Sequence, residues 1–365
     1  MGVIRRIAFS TAMLCVMCLT VLLSSCNSSF RCADINLYGV PLSKVYATCS
    51  SAYYLSESGT LYCTGADSDA GSFVSYQNQK EGIVAENVKF FREMLGGGCY
   101  INNNGDLYMW NESIEPLYGY NKKDKHIKIL DGIKFVDSGR YCMIYIDIES
   151  NLYLIGSFLG ETHDVKNPKL LATNVSCADI NHGTVIWATT NGRIDAYGEK
   201  RSDVLEAIAM QKENAHINDI RLTNSYLAVL CDEQLWFYGD YVRLTTGDES
   251  QVVVSRLLSN DIAAISDSAS TFAALTKTGD VLLWGRCVSN DKNNTKSTQF
   301  GYYEAFCVTK NAEDVFVSGS CVCYIGQGGT SNIFYADGWA DFYGNATKDP
   351  CVGVNRAPNT WVREN

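Results

Sequence analysis

An all-β chain folded as a seven-bladed β-propeller is the architecture this sequence predicts, on three observations. A seven-residue pattern recurs seven times, its strands are apolar at both alternating parities, and each copy is preceded by a second apolar run and a tight-turn signal. The copies are GTLYCTG (59–65), GDLYMWN (105–111), SNLYLIG (150–156), GRIDAYG (192–198), EQLWFYG (233–239), GDVLLWG (279–285) and GWADFYG (338–344). Their ends are separated by 46, 45, 42, 41, 46 and 59 residues. The first position is Gly in five copies, the third is apolar in all seven, and the last is Gly in six, with Asn111 as the exception. Asn is the next best residue for a positive φ.

Each element follows in order. Upstream of GDVLLWG stands DIAAISDSASTFAALTK (261–277), which reads as apolar strand, small-residue break, apolar strand. The pairs Asn104-Gly105, Asn191-Gly192 and Asp337-Gly338 are hairpin signals. In the final strand Val281 and Leu283 face one way and Leu282 and Trp284 the other. A strand apolar on both sides is buried on both sides. A hairpin cannot cover two apolar faces alone, whereas a ring of sheets leaves none bare. A solenoid would carry polar capping repeats, and none is evident. Asp34–Gly39 resembles the final-strand pattern and is a candidate closing strand for the last blade, or a coincidental short strand. The expected organisation is a leader over 1–26, a tether with that possible strand over 27–43, the propeller over 44–350 and a tail over 351–365.

The composition fits an exported body. The 365 residues are 46% apolar with 22 Tyr and five Pro. The net charge is −10, an acidic balance that disfavours phosphate backbones and so nucleic acid. Arg5 and Arg6 precede an uncharged apolar stretch to Leu23, and Leu23-Ser24-Ser25-Cys26 follows. That is a secretory leader. Its LSSC ending resembles the bacterial lipobox, which makes Cys26 the expected lipid attachment site on the membrane. An uncleaved signal anchor is the alternative; a twin-arginine signal fits less well, because Ile4 stands where a polar residue is usual. Of 15 Cys, twelve follow Cys26, mostly one at a time in apolar runs such as Cys63, Cys142 and Cys231. They read chiefly as free buried thiols, with room for one or two bridges.

The unit resembles the repeat of the regulator-of-chromosome-condensation family, best in Phe272–Gly285, FAALTKTGDVLLWG. The resemblance covers about residues 44–344. It departs from the family at Glu233-Gln234 in place of a turn Gly, in the missing Asn- and Gly-rich continuation after Trp-Gly, and in an insertion, GQGGTSNIFYADG, in the seventh unit. Gly-His to Trp-Asp pairing, a double glycine in every unit and Ser-x-Asp-x-Gly boxes, the marks of other propellers, are missing. The resemblance implies protein binding. Guanine-nucleotide exchange and chromatin binding, known for nuclear members, do not carry over to an exported acidic chain; secreted bacterial members include β-lactamase inhibitors.

Chemistry is sparse. His126, His163, His182 and His216 have no metal-ligand spacing, and Asp67-Ser-Asp69-Ala-Gly71 opens like a calcium loop but has Asn78 where the bidentate Glu belongs. No metal, cofactor or catalytic residue is expected. Asn111-Glu112-Ser113 and Asn345-Ala346-Thr347 are glycosylation sequons, of little meaning in a bacterial cell. Tyr118, Tyr120, Tyr302 and Tyr303 are candidates for a binding surface, or for outer strands packing between blades. The expected function is a membrane-tethered extracytoplasmic propeller that binds a protein partner at or near the membrane's outer surface, without catalysis. An inhibitor of a secreted or cell-wall enzyme is one alternative. A carbohydrate-active enzyme with carboxylates converging on the axial channel is the other.

Overall fold

A computed structural model describes residues 42–47, 51–65, 83–94, 97–111, 126–139, 141–181, 183–199, 201–210, 215–223, 226–248, 250, 252–267, 271–289, 299–318, 321–326 and 330–335. These form seven antiparallel sheets, taken in chain order, and two short helices. The first sheet is β1 (Leu42–Ala47), β2 (Ser51–Ser56), β3 (Leu61–Gly65) and β4 (Ile83–Ala85). The second is β5 (Val88–Met94), β6 (Gly97–Asn102), β7 (Leu107–Asn111) and β8 (Ile127–Leu130). The third has β9 (Ile133–Ser138), β10 (Cys142–Asp147) and β11 (Leu152–Phe158), with β12 (Glu161–His163) and β13 (Lys169–Ala172) both pairing with β11. The fourth has three strands, β14 (Val175–Asn181), β15 (Thr184–Thr189) and β16 (Ile194–Gly198), followed by α1 (Ser202–Met210). The fifth is β17 (Ile217–Leu222), β18 (Tyr226–Cys231), β19 (Gln234–Gly239) and β20 (Val254–Ser259), with α2 (Tyr241–Thr246) inserted before β20. The sixth is β21 (Ile262–Asp267), β22 (Thr271–Thr276), β23 (Val281–Ser289) and β24 (Gln299–Thr309). The last is β25 (Ala312–Ser318), β26 (Cys321–Gly326) and β27 (Thr330–Tyr335).

The first strands of successive sheets pack on one another: β5 on β9, β9 on β14, β14 on β17, β17 on β21 and β21 on β25. The last sheet returns to the first, with β25 and β26 against β1 and Lys44 Nζ 3.7 Å from Asp314. Between the first two sheets Tyr53, Leu55, Leu61, Val88, Phe91 and Tyr100 share one apolar cluster. First strands therefore line an axis and the sheets succeed one another around it. This is an all-β propeller.

Every first strand carries a register shift near its start, for example between Val175 and Cys177 and between Ile217 and Asp219. Such a bulge adds right-handed twist, which a radiating sheet needs. The second strands are the most buried. In β10, β15, β18 and β22 the first five residues are all buried. The apolar material thus lies in layers between sheets, such as the layer of Ile186, Ile217, Ile220, Leu227 and Val229.

The recurrent segments of the first six units are the third strands β3, β7, β11, β16, β19 and β23, and their terminal glycines have a steric cause. At the turn position φ is positive in all six units: +85° at Gly59, +84° at Gly105, +70° at Ser150, +82° at Gly192, +67° at Glu233 and +86° at Gly279. A Cβ on Gly192 would stand 2.2 Å from the Ala215 carbonyl, and one on Gly198, at the segment's end, 2.1 Å from the Gly183 carbonyl. Glu233 and Ser150 tolerate the left-handed conformation at a cost of about 1–2 kcal/mol each.

The seventh unit differs from expectation. Its third strand is β27, which pairs Gly326 with Thr330 and Cys321 with Tyr335. The supposed insertion thus supplies the strand itself. A shorter hairpin connection satisfies β26 before the chain reaches 338–344, and that segment lies outside the described residues, as does the candidate closing strand 34–39. The two helices were not foreseen. Val204 and Ala207 of α1 are fully buried between the fourth and fifth sheets, where an outer strand would otherwise stand. In α2, Asp240 caps the N-terminus by accepting from Arg243 N, and Gly247 (φ +84°) ends it.

Candidate functional site

The two ends of the ring are built differently. At one end lie the hairpin turns between second and third strands. Five of these turns are sewn to the next sheet by backbone bonds: Val88 N donates to Gly59 O, Ile133 N to Gly105 O, Val175 N to Ser150 O and Ala312 N to Gly279 O at 2.8 Å, and Ile262 N to Glu233 O at 3.0 Å. A second set runs from Asn103 N to Asn87 O, Ile148 N to Gly132 O, Thr190 N to Asn174 O and Lys277 N to Asp261 O, again at 2.8 Å. This short-turn end is a closed circuit of paired amides. It holds one shallow cleft, of about 430 Å³, lined by Glu86, Asn87, Tyr100, Asn102–Asn104 and Tyr108. Turn chemistry accounts for asparagines there: Asn87 sits at φ +59°, and Asn102 Oδ1 accepts from the amides of Asn104 and Asp106.

The opposite, long-loop end carries the connections from first to second and from third to fourth strands. Both helices lie here. So do the exposed apolar side chains Tyr141, Leu159, Leu205, Met210, Val242 and Val252; of the other exposed large apolar residues described, Ile148 lies at a short turn and Ile83, Leu170 and Leu257 lie on outer strands opposite Tyr62, Tyr153 and Trp236. A clasp ties this end together between the third and fourth sheets. Lys169 Nζ donates to Glu161 Oε2 and to Tyr197 Oη, each at 2.6 Å, and His163 Nε2 lies 3.2 Å from the same carboxylate. The Lys169 ammonium holds the Glu161 carboxyl below its usual range.

The axis carries a polar belt. Arg92, Asp137, Asp179, Arg221 and Ser266 occupy the same register position in five consecutive first strands, opposite Cys99, Ile144, Ile186, Ala228 and Ala273. A first strand is a sheet edge whose outward amides need partners. The belt supplies them from the preceding sheet. The Asp179 carboxylate accepts from Leu222 N, Asn181 Nδ2 donates to Leu222 O at 2.9 Å, and Ser266 Oγ accepts from Val317 N at 2.8 Å. Arg92 Nε lies 3.5 Å from Asp137, and Arg221 donates to Asp219 at 2.9 Å. Burial raises the Asp179 carboxyl well above the usual carboxylate range, and the neighbouring Asp137 charge adds to the shift. Burial likewise raises Asp267, to about 7, against the opposing pull of Arg221.

The carboxylates expected at the axis for a carbohydrate-active enzyme are present, but they are engaged. Asp137 and Asp179 lie within hydrogen-bonding reach of each other, and Asp219 is bound to Arg221. Sequence reasoning missed this belt. Its signal was a charged residue inside an apolar run at the repeat period, since 137, 179 and 221 are each 42 residues apart.

Of the predicted site residues, Cys26, Tyr118 and Tyr120 lie outside the described residues. Tyr302 and Tyr303 fall on the outer strand β24, paired with Arg286 and Gly285 of β23. Cys99, Cys142, Cys177, Cys231 and Cys307 are free, and burial pushes the Cys99 and Cys177 thiols up to about 12 and Cys142 to about 11, which makes them poor nucleophiles. Among the described residues no group of His, Cys, Asp and Glu has the geometry to hold a metal ion, and no helix is long and apolar enough to cross a membrane.

No family model and no curated protein matches the chain. Solved structures do. Human WBSCR16 aligns over 83% of this chain and 89% of its own, with a TM-score of 0.58 and 13% identity. Prp20p of Saccharomyces cerevisiae, described with its binding to Gsp1p and histones, aligns over 80% and 82%, with a TM-score of 0.55 and 14% identity. Yeast RCC1 (Prp20) in its complex with Kap60 aligns over 80% of each chain, with a TM-score of 0.54 and 12% identity. At these identities the likeness is one of fold, that of a β-propeller.

Proposed function

We propose that the chain is an exported, membrane-tethered member of the chromosome-condensation-regulator repeat family, in which each of the seven sheets is one blade. It binds another protein through its long-loop end and performs no catalysis of its own. The observation that carries this reading is the asymmetry of the ring. Six of the ten exposed large apolar residues described, with both helices, belong to the connections of one end, while the other end is spent on turn-to-sheet hydrogen bonds. Apolar side chains held out on a rigid frame are what a protein interface uses at its centre. The yeast structures support the reading, since Prp20p is described as binding other proteins and is seen bound to Kap60.

Tethering rests on the sequence. Lipid on Cys26 would leave eight residues before Asp34, at most about 28 Å of extended chain. That places the partner near the membrane's outer surface. Inhibition of a secreted or cell-wall enzyme would use the same end of the ring. The engaged axial carboxylates favour either binding role over hydrolysis.

Crosslinking in intact cells, with mass spectrometry of the captured neighbour, tests the reading. The double substitution Leu205→Asp with Met210→Asp is expected to abolish capture and leave the unfolding midpoint within a degree or two. Undiminished capture of the same neighbour would overturn the assignment of the long-loop end. Mass spectrometry of the mature N-terminus checks the tether; a Cys26 without lipid, still preceded by its leader, would remove it.

A further inference from the structure

The axial belt has a charge balance that the binding role does not use. We propose that it is a proton-loaded latch between blades, which holds the ring most tightly at mildly acidic pH and slackens as pH rises. Three observations carry the proposal. Asp137 on β9 and Asp179 on β14 lie within hydrogen-bonding reach of each other, an arrangement two carboxylates adopt by sharing a proton. Asp179 at the same time accepts the Leu222 amide of β17, so the pair bridges three consecutive sheets. Finally, the belt sets four carboxyls, those of Asp137, Asp179, Asp219 and Asp267, against two guanidiniums, those of Arg92 and Arg221.

The groups facing each member are few. Asp179 meets Asp137 from β9, Arg221 from β17 and Asp267 from β21. Asp267 meets Asp219 and Arg221 from β17, Asp137 from β9, Arg92 from β5 and the Tyr226 phenol from β18. Lys44 is committed to Asp314 at the junction of first and last sheets. Among the described residues no third cation reaches the belt, so two negative charges balance the arginines and further ionisation is uncompensated.

The direction follows from linkage. A carboxyl whose folded value is raised is neutral in the folded ring and ionises sooner in the unfolded chain. The stability it contributes is complete below the unfolded value near 4 and is lost as pH climbs through the folded value. For Asp267 that window runs from 3.8 to about 7. A displacement of about three units corresponds to up to about a thousandfold in the folding equilibrium constant.

The experiment is a series of urea unfolding curves from pH 4 to pH 8 on the chain, Asp267→Asn and Asp179→Asn, with Glu313→Gln as an exposed control. Asn mimics the protonated carboxyl in size and neutrality. Asp267→Asn is expected to match the parent near pH 4 and to exceed it by at least tenfold in folding equilibrium constant at pH 8. Asp179→Asn should show the same divergence, even if it starts from a lower stability because Asn shares its proton less well. Glu313→Gln should run parallel to the parent. Parallel curves for both aspartate variants and the parent across the whole range would overturn the latch.

Discussion

The short-turn end and the long-loop end grow from the same repeat, yet they have opposite characters. At the short-turn end the units turning at Gly59, Gly105, Ser150 and Glu233 repeat the same two backbone bonds, and positive φ values recur at equivalent places, as at Asn87, Gly132, Asn174, Asp261 and Asn311. At the long-loop end the described connections that follow the third strands β11, β16 and β19 all differ: a strand excursion at β12, a nine-residue helix at α1 and a capped six-residue helix at α2. A backbone-built end cannot vary without breaking the ring, so variation and recognition are left to the other end. Loops on a rigid scaffold are where binding surfaces arise.

The comparison can be broken most sharply with glycines. Gly192→Val at the short-turn end forces a side chain onto the Ala215 carbonyl, in a conformation Val disfavours. The expected loss is at least about 3 kcal/mol in a urea titration. Gly160→Ala at the long-loop end shares the positive φ, +83°, but a Cβ there meets nothing within 4 Å. Its cost should stay near about 1 kcal/mol. Equal losses at the two sites would erase the distinction between the ends.

A smaller effect is expected from Asp240→Ala. Its carboxylate caps α2 and also accepts from the amide and hydroxyl of Ser250, so about 1–2 kcal/mol should be lost. Hydrogen exchange should localise the loosening to α2 and leave the short-turn amides protected.

The smallest effect sharpens the electrostatic side. Asp106, at a short turn, is held below its ordinary value chiefly by hydrogen bonding to Lys128, with help from Asn102. A lowered carboxyl contributes above its unfolded value and loses that contribution as pH falls through the folded one. Asp106→Asn should therefore lower stability slightly at pH 7, where the carboxylate's bond to Lys128 is lost, and converge on the parent below pH 4, which flattens the acid limb in a melting series from pH 2.5 to 7. That is opposite in sign to the behaviour expected of Asp267.

Much of this was legible in the sequence because the ring's constraints are local. Gly192 and Gly198 mark where a Cβ would strike the neighbouring backbone, and Leu283 and Trp284, both buried on opposite faces of β23, mark a strand covered on both sides. The rest was hidden for identifiable reasons. α1 has a single acidic residue in its first turn and no basic residue in its last, and its burial depends on the gap left by a missing outer strand. The belt is spread over first strands separated by whole repeats, with a bulge in each to obscure the register. In the last unit the Asp337-Gly338 turn signal outweighed the apolar run Ile333–Tyr335, although that run is the strand.

Among the described residues each strand pairs only within its own sheet. The seam brings β25 and β26 of the final sheet against β1, with Lys44 Nζ 3.7 Å from Asp314. The earliest sheet to leave the ribosome must keep one greasy flank bare until the last one arrives. Anything that delays synthesis of the final hundred residues prolongs the time in which two nascent copies can mistake each other for their own missing end.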